Sequence, residues 1–198
     1  MTSDQKVIKY FAIGLSIFVS AVIILSITNF VVGFVGINDL FKKQSIDETI
    51  KYEDNIEYLD IDLKSVDLKI QKGEYFSVKN IDKNIIITKK DNKVKIVDKR
   101  KNLINFSKKK LVITIQSDSI LKNVRLDNGA GKVEIDGLNV DDLYISLGAG
   151  RGTFKNIVST NSKIETGAGN LKIDDSILNN LDLELGVGNV EINGDITG

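Results

Sequence analysis

The chain has 198 residues, with 27 basic and 27 acidic side chains and zero net charge. It contains no histidine and no cysteine. The commonest general base, thiol catalysis, zinc–thiolate sites and disulfides are therefore excluded, and the length fits one modest domain plus an anchor.

Residues 1–9 form a short polar tail carrying Lys6 and Lys9. From Tyr10 to Ile37 no charged residue occurs, and Phe, Ile, Val and Leu dominate. As a helix these residues would be about 42 Å long, enough for one tilted membrane span and too short for two. A cleaved signal peptide is the rival reading. The apolar region is longer than such peptides use, and no small-x-small cleavage site follows it, so a retained single-pass anchor over 10–37 is expected. Lys6 and Lys9 on one side nearly balance Lys42 and Lys43 on the other, which leaves the positive-inside rule undecided. Residues 38–56 read as a juxtamembrane linker.

The rest of the chain, 57–198, is organised by glycine pairs returning every 19 residues: Gly129/Gly131, Gly148/Gly150, Gly167/Gly169 and Gly186/Gly188. A fixed period of this size signals stacked coils, here 122–140, 141–159, 160–178 and 179–197. The columns Leu126/Ile145/Ile164/Leu183 and Ile135/Phe154/Ile173/Ile192 are apolar in every coil. Val124/Leu143/Ser162/Leu181 and Val133/Gly152/Leu171/Val190 fail only once each. Apolar residues two apart, with polar columns between them, give one strand on each side of the glycines. The expected fold is all-β: a single-stranded β-solenoid of parallel β-helix type, preceded by one transmembrane helix.

The glycines fall at a bend, where positive φ costs them little. Ala130, Ala149, Ala168 and Val187 between them read as a small apolar column pointing into the core. Gly137, Asn156, Asp175 and Gly194 mark a second turn. A short third side follows, with Leu138 and Ile157 inside and then Ile177 and Ile196 one place later. Upstream, Ile61, Leu68 and Ile70 repeat the coil spacing without the glycine bend. Further alternations at Ile85/Ile87, Val94/Ile96 and Leu111/Ile113/Ile115 suggest irregular early coils grading into regular late ones. The strand edge of the final coil is protected by irregularity and charge, or else meets a partner or a second copy. A Gly-x-Gly phosphate loop would need a following helix, and a β-alternating segment follows each time.

Charge is partitioned along the chain. Residues 1–71 carry a net −3, residues 72–123 a net +9 and residues 124–198 a net −6. The basic belt centres on Lys89/Lys90, Lys99/Arg100/Lys101 and Lys108/Lys109/Lys110. It reads either as solvated loops and strand faces or as a contact surface for anionic lipid or wall polymer, with Lys99, Arg100, Lys101, Lys108, Lys109 and Lys110 as the contacts. No stacking motif accompanies it, so nucleic acid is not expected. The acidic column Asp127, Glu165 and Glu184 is the best site for Ca²⁺ or acid catalysis, but the repeat is not the nine-residue calcium-binding pattern. No catalytic residue, cofactor or metal is expected.

The units Leu126–Ile135, Ile164–Ile173 and Leu183–Ile192, each centred on Gly-Ala-Gly or Gly-Val-Gly, resemble the bacterial "putative adhesin" family. These are membrane proteins with a β-strand-repeat domain of unknown function. The resemblance spans roughly 57–198 and is strongest after 121. It implies a bacterial cell-membrane protein with the tail inside and the repeat domain outside, and it carries over no binding residues. The expected function is a non-catalytic structural or adhesion-type binding module of the cell envelope. The alternative is an envelope-stress or signalling accessory protein that regulates a membrane partner.

Overall fold

A computed structural model describes residues 48–80, 82–100 and 110–196. The tail, the expected membrane span and most of the linker lie outside the described residues. So do Lys101, Lys108 and Lys109.

Among the described residues every regular element is a strand, and together they form one curled open sheet. The strands are β1 (Glu48–Tyr52), β2 (Tyr58–Leu63), β3 (Asp67–Gly73), β4 (Phe76–Asn80), β5 (Ile85–Lys90), β6 (Lys93–Asp98), β7 (Lys110–Gln116), β8 (Leu121–Leu178) and β9 (Leu181–Ile196). β8 is long because the backbone stays extended around successive bends. β9 pairs with the preceding coil in parallel at the expected offset, Ile164 opposite Leu183 and Ile173 opposite Ile192. The alternation of the sequence thus becomes stacking: Ile61, Leu126, Ile145 and Ile164 are fully buried, as are Ile70, Phe154 and Ile173.

The coil without a glycine bend is real. β2 and β3 lie parallel to the start of β8, with Ile61 opposite Leu126 and Ile70 opposite Ile135. Lys64, Ser65 and Val66 occupy the positions that Gly-Ala-Gly takes later. The order of the early coils, however, is not the sequence order. β6 and β7 form a coil on the far side of β2 and β3, with Ile96 opposite Ile61 and Ile113 opposite Ile70. The chain therefore passes beyond its first coil and returns through residues 117–120 to stack on the other face. Ser117 anchors that return by donating from its N–H and hydroxyl to the Gly73 carbonyl, at 2.9 and 3.0 Å. β5, β4 and β1 are antiparallel additions at this end rather than further coils.

Two inward assignments are corrected. Ala149 and Ala168 are exposed and Val187 is 75% exposed, so the residue between the glycines points to solvent. The reason is the close backbone stacking described below, which turns the bend outward. Ile177 also faces out, because a register shift between Asp174 and Ser176 puts Ser176 and Leu178 inside instead. Ser176 suits this place: its hydroxyl accepts the Ile157 N–H at 3.1 Å and donates to the Asp174 carbonyl at 2.8 Å. The second turn has positive φ at Gly137, Asn156 and Asp175, which glycine, asparagine and aspartate tolerate best. The expected Gly194 does not share it, and pairs with Ser176 after the register shift. At the two polar breaks in the apolar columns the core adapts differently. Gly152 leaves space that Leu171, Leu147 and the Phe154 ring fill. Ser162 is buried with its hydroxyl unpartnered.

Candidate functional site

The glycine bend builds the most regular surface feature. A Cβ at Gly129 or Gly131 would lie 2.7 Å from the Lys64 or Val66 carbonyl oxygen of the neighbouring coil. The later glycines meet the glycine carbonyls one coil back in the same way. Gly131, Gly150, Gly169 and Gly188 also have φ between 118° and 146°, a conformation side chains disfavour. Bare backbone therefore stacks on bare backbone, and the first glycine of each pair lines a groove along the coils. Its first section is a cavity of about 710 Å³ beside Asp62, Ser65, Asp127, Asn128 and Gly129. Through Ser146 and Gly148 it adjoins a second of about 450 Å³ beside Glu165 and Glu184.

The polar columns next to the groove are paired internally. Arg125 donates to Asp127 at 2.9 Å and lies 4.7 Å over the Tyr144 ring, whose hydroxyl donates to Glu165 at 2.9 Å. Lys163 lies 3.0 Å from Glu165 and from Glu184 and 3.3 Å from Asp182. Hydrogen bonds to Glu184, then Glu165, then Asp182 hold the Lys163 ammonium well above its ordinary pKa. Lys163 and the Tyr144 hydroxyl hold the Glu165 carboxyl below its own. The column Asp127, Glu165 and Glu184 is thus tied up by neighbouring cations, and no group of three acidic side chains suited to a metal occurs among the described residues. On the outer face an amide ladder runs from Asn180 to Asn161 at 3.0 Å and from Asn161 to Asp142 at 2.8 Å. Along the groove wall Asp127, Ser146, Glu165 and Glu184 follow one another, one per coil, about 4.8 Å apart.

The basic belt does not gather as one surface. Lys99 and Lys110 are exposed. Arg100 is buried at 8% exposure and is withdrawn from the expected contacts: its guanidinium chelates Asp98, with Nη2 2.5 Å from Oδ2, and lies 3.6 Å from Asp82. Burial would raise the Asp98 carboxyl, but hydrogen bonds from the Arg100 side chain and backbone, its charge, and the Lys64 N–H hold it below its ordinary value. Lys64 also donates from Nζ to the Arg100 carbonyl. Arg100 therefore pins the end of β6 to the end of β2.

Sequence reading missed the column Asn128/Leu147/Thr166/Leu185, which turns inward just before the bend until the last coil exposes Leu185. It follows the same 19-residue interval, and its mixed polarity conceals it. Asn128 is buried and donates from Nδ2 to the Val66 carbonyl at 3.2 Å.

One solved structure shares this architecture at low sequence identity. A protein described as a "putative cell adhesion protein" from Clostridium sporogenes aligns over 76% of this chain and 100% of its own, at 15% identity and a TM-score of 0.58. A "putative adhesin" from Bacteroides fragilis aligns over 78% and 97%, at 14% identity and a TM-score of 0.34. A "putative lipid binding protein" from Parabacteroides distasonis aligns over 78% and 97%, at 13% identity and a TM-score of 0.25. No curated protein matches the chain. The profile of the Toastrack DUF4097 family matches residues 56–196, and the chain belongs to that family.

Proposed function

We propose that the chain is a non-catalytic binding module of a bacterial cell envelope, a β-solenoid held at the membrane by the apolar segment 10–37 and displayed outside the cell. The observation that carries this reading is the glycine-lined groove, flanked by polar columns that repeat with every coil. A surface of this kind makes many weak, equally spaced contacts, so its affinity for a polymer or an extended partner comes from multivalency. The description of the Clostridium sporogenes neighbour as a "putative cell adhesion protein" points the same way. The 28-residue segment from Tyr10 to Ile37, which has no charged residue, supports the anchor.

Topology tests the proposal, and the absence of native cysteine makes the test clean. Asn189→Cys places one thiol on the exposed bend of β9. The expected result is labelling of intact cells by a membrane-impermeant maleimide. Labelling only after lysis, with a denatured control confirming that the thiol reacts, would place the module inside and overturn the display reading.

A further inference from the structure

The last coil differs from the others in both cover and charge. β9 pairs with β8 along one edge, and no strand lies on its other edge among the described residues. The inner columns that are fully buried at Ile145, Ile164 and Ile173 end in the half-buried Leu183 and Ile192. Unpaired N–H and C=O groups above a half-covered apolar layer are a template for another strand.

β9 carries Asp182, Glu184, Glu191 and Asp195 and no lysine or arginine, whereas each of the three coils before it carries both signs. Most ion pairs between coils share one direction, with the cation on the coil farther from β9. Lys93 and Lys95 reach Asp60, Lys155 reaches Asp174, Lys163 reaches Asp182 and Glu184, and Lys172 reaches Glu191. Lys122 with Glu57 runs the other way. This order delivers acidic groups to the outermost edge. We propose that the free edge of β9 captures an extended strand of a partner protein bearing lysine or arginine at alternate positions. Backbone pairing supplies the attachment, the apolar alternates cover Leu183 and Ile192, and the cations meet the four carboxylates.

A second copy of this chain is a poor occupant. Tip-to-tip pairing would bring both acidic sets together. Head-to-tail pairing meets a stepped surface, since two strands lie beyond β2 and three beyond β3. Glu184 belongs both to this edge and to the end of the groove, but strand capture is read by slowed exchange along β9 and display by maleimide labelling, so the two readings fail separately.

The test uses the full chain, purified in mild detergent, and two labelled 16-residue peptides. One has the β9 sequence and the other has lysine at its four acidic positions. The lysine peptide is expected to bind at least about tenfold tighter, to lose that advantage as salt rises, and to slow amide exchange within β9. The double variant Glu184→Lys/Glu191→Lys leaves only Asp182 and Asp195 against two new cations and should abolish the preference. Both side chains are well exposed, at 62% and 61%, so the variant should fold normally. Equal binding of the two peptides, binding of neither to folded protein, or protection away from β9 would overturn the proposal. So would a tip-to-tip dimer in sedimentation.

Discussion

Replacing Gly169 by alanine is expected to destabilise the fold by at least about 3 kcal/mol. Two independent causes act at this position. Its φ of 146° is one that alanine rarely adopts, and a Cβ there would overlap the Gly150 carbonyl of the coil beneath. Backbone strain of this kind costs about 1–3 kcal/mol. The overlap adds to it, because the carbonyl lies in a parallel ladder and has no free direction in which to move. The neighbouring Ala168 is exposed, so Ala168→Ser should stay within about 0.5 kcal/mol of the parent. Denaturant melts of the two variants check the contrast. Hydrogen exchange should further show that the loss in Gly169→Ala begins in β9, since stability in stacked repeats is passed between neighbours. Equal tolerance at 168 and 169 would remove the close backbone stacking on which the groove rests.

Arg100→Ala is expected to cost about 3 to 5 kcal/mol, the range found when one partner of a buried ion pair is deleted. The Asp98 side chain has 0% exposure and would be left with N–H donors alone. The pH dependence identifies the cause. In the parent protein the Asp98 carboxyl is held below its ordinary value. Its contribution is therefore fully present above the unfolded carboxylate pKa of about 3.9, and is lost as pH falls through the depressed folded value. Without Arg100, burial dominates and the same carboxyl is raised, so protonation relieves the variant as pH falls. The stability gap between parent and variant should then narrow steadily toward acid. Melts across pH 3 to 7 read this directly, and a gap independent of pH would show that the loss is one of packing rather than charge. Asp98→Leu/Arg100→Leu together should recover only part of the loss, because the Asp98 charge is removed while buried Asp82 still loses its contact with Arg100.

These two residues also mark how far the sequence could be read. The glycine interval and the columns through Leu126 and Ile135 identify strands, spacing and inner faces, because a half-buried strand must alternate and a stacked coil must repeat. They even reveal the coil at Ile61, Leu68 and Ile70, whose bend is Lys-Ser-Val. Alternation says which face a residue takes but not which strand lies beside it, so the placement of β6 and β7 beyond β2 and β3 was not legible. The outward turn of Ala149, Ala168 and Val187 depends on how closely the glycine backbone of one coil rests on the carbonyls of the next. That approach leaves no apolar or polar signature. Arg100 sits in a run of cations and looks like its neighbours until Asp82 and Asp98 fold around it. The groove itself was invisible for a related reason: it is made by missing side chains.

Groove, bend and free edge all depend on the register between successive coils, and a disulfide measures it. Asn170 lies opposite Asn189, both are exposed, and the chain has no cysteine of its own. Parallel neighbours about 4.8 Å apart fall within the range a disulfide can bridge. Oxidation of Asn170→Cys/Asn189→Cys should give a complete intramolecular crosslink, while Asn170→Cys/Glu191→Cys, two residues out of register, should stay reduced. Crosslinking of the second pair in preference to the first would contradict the 19-residue stack and every feature built on it.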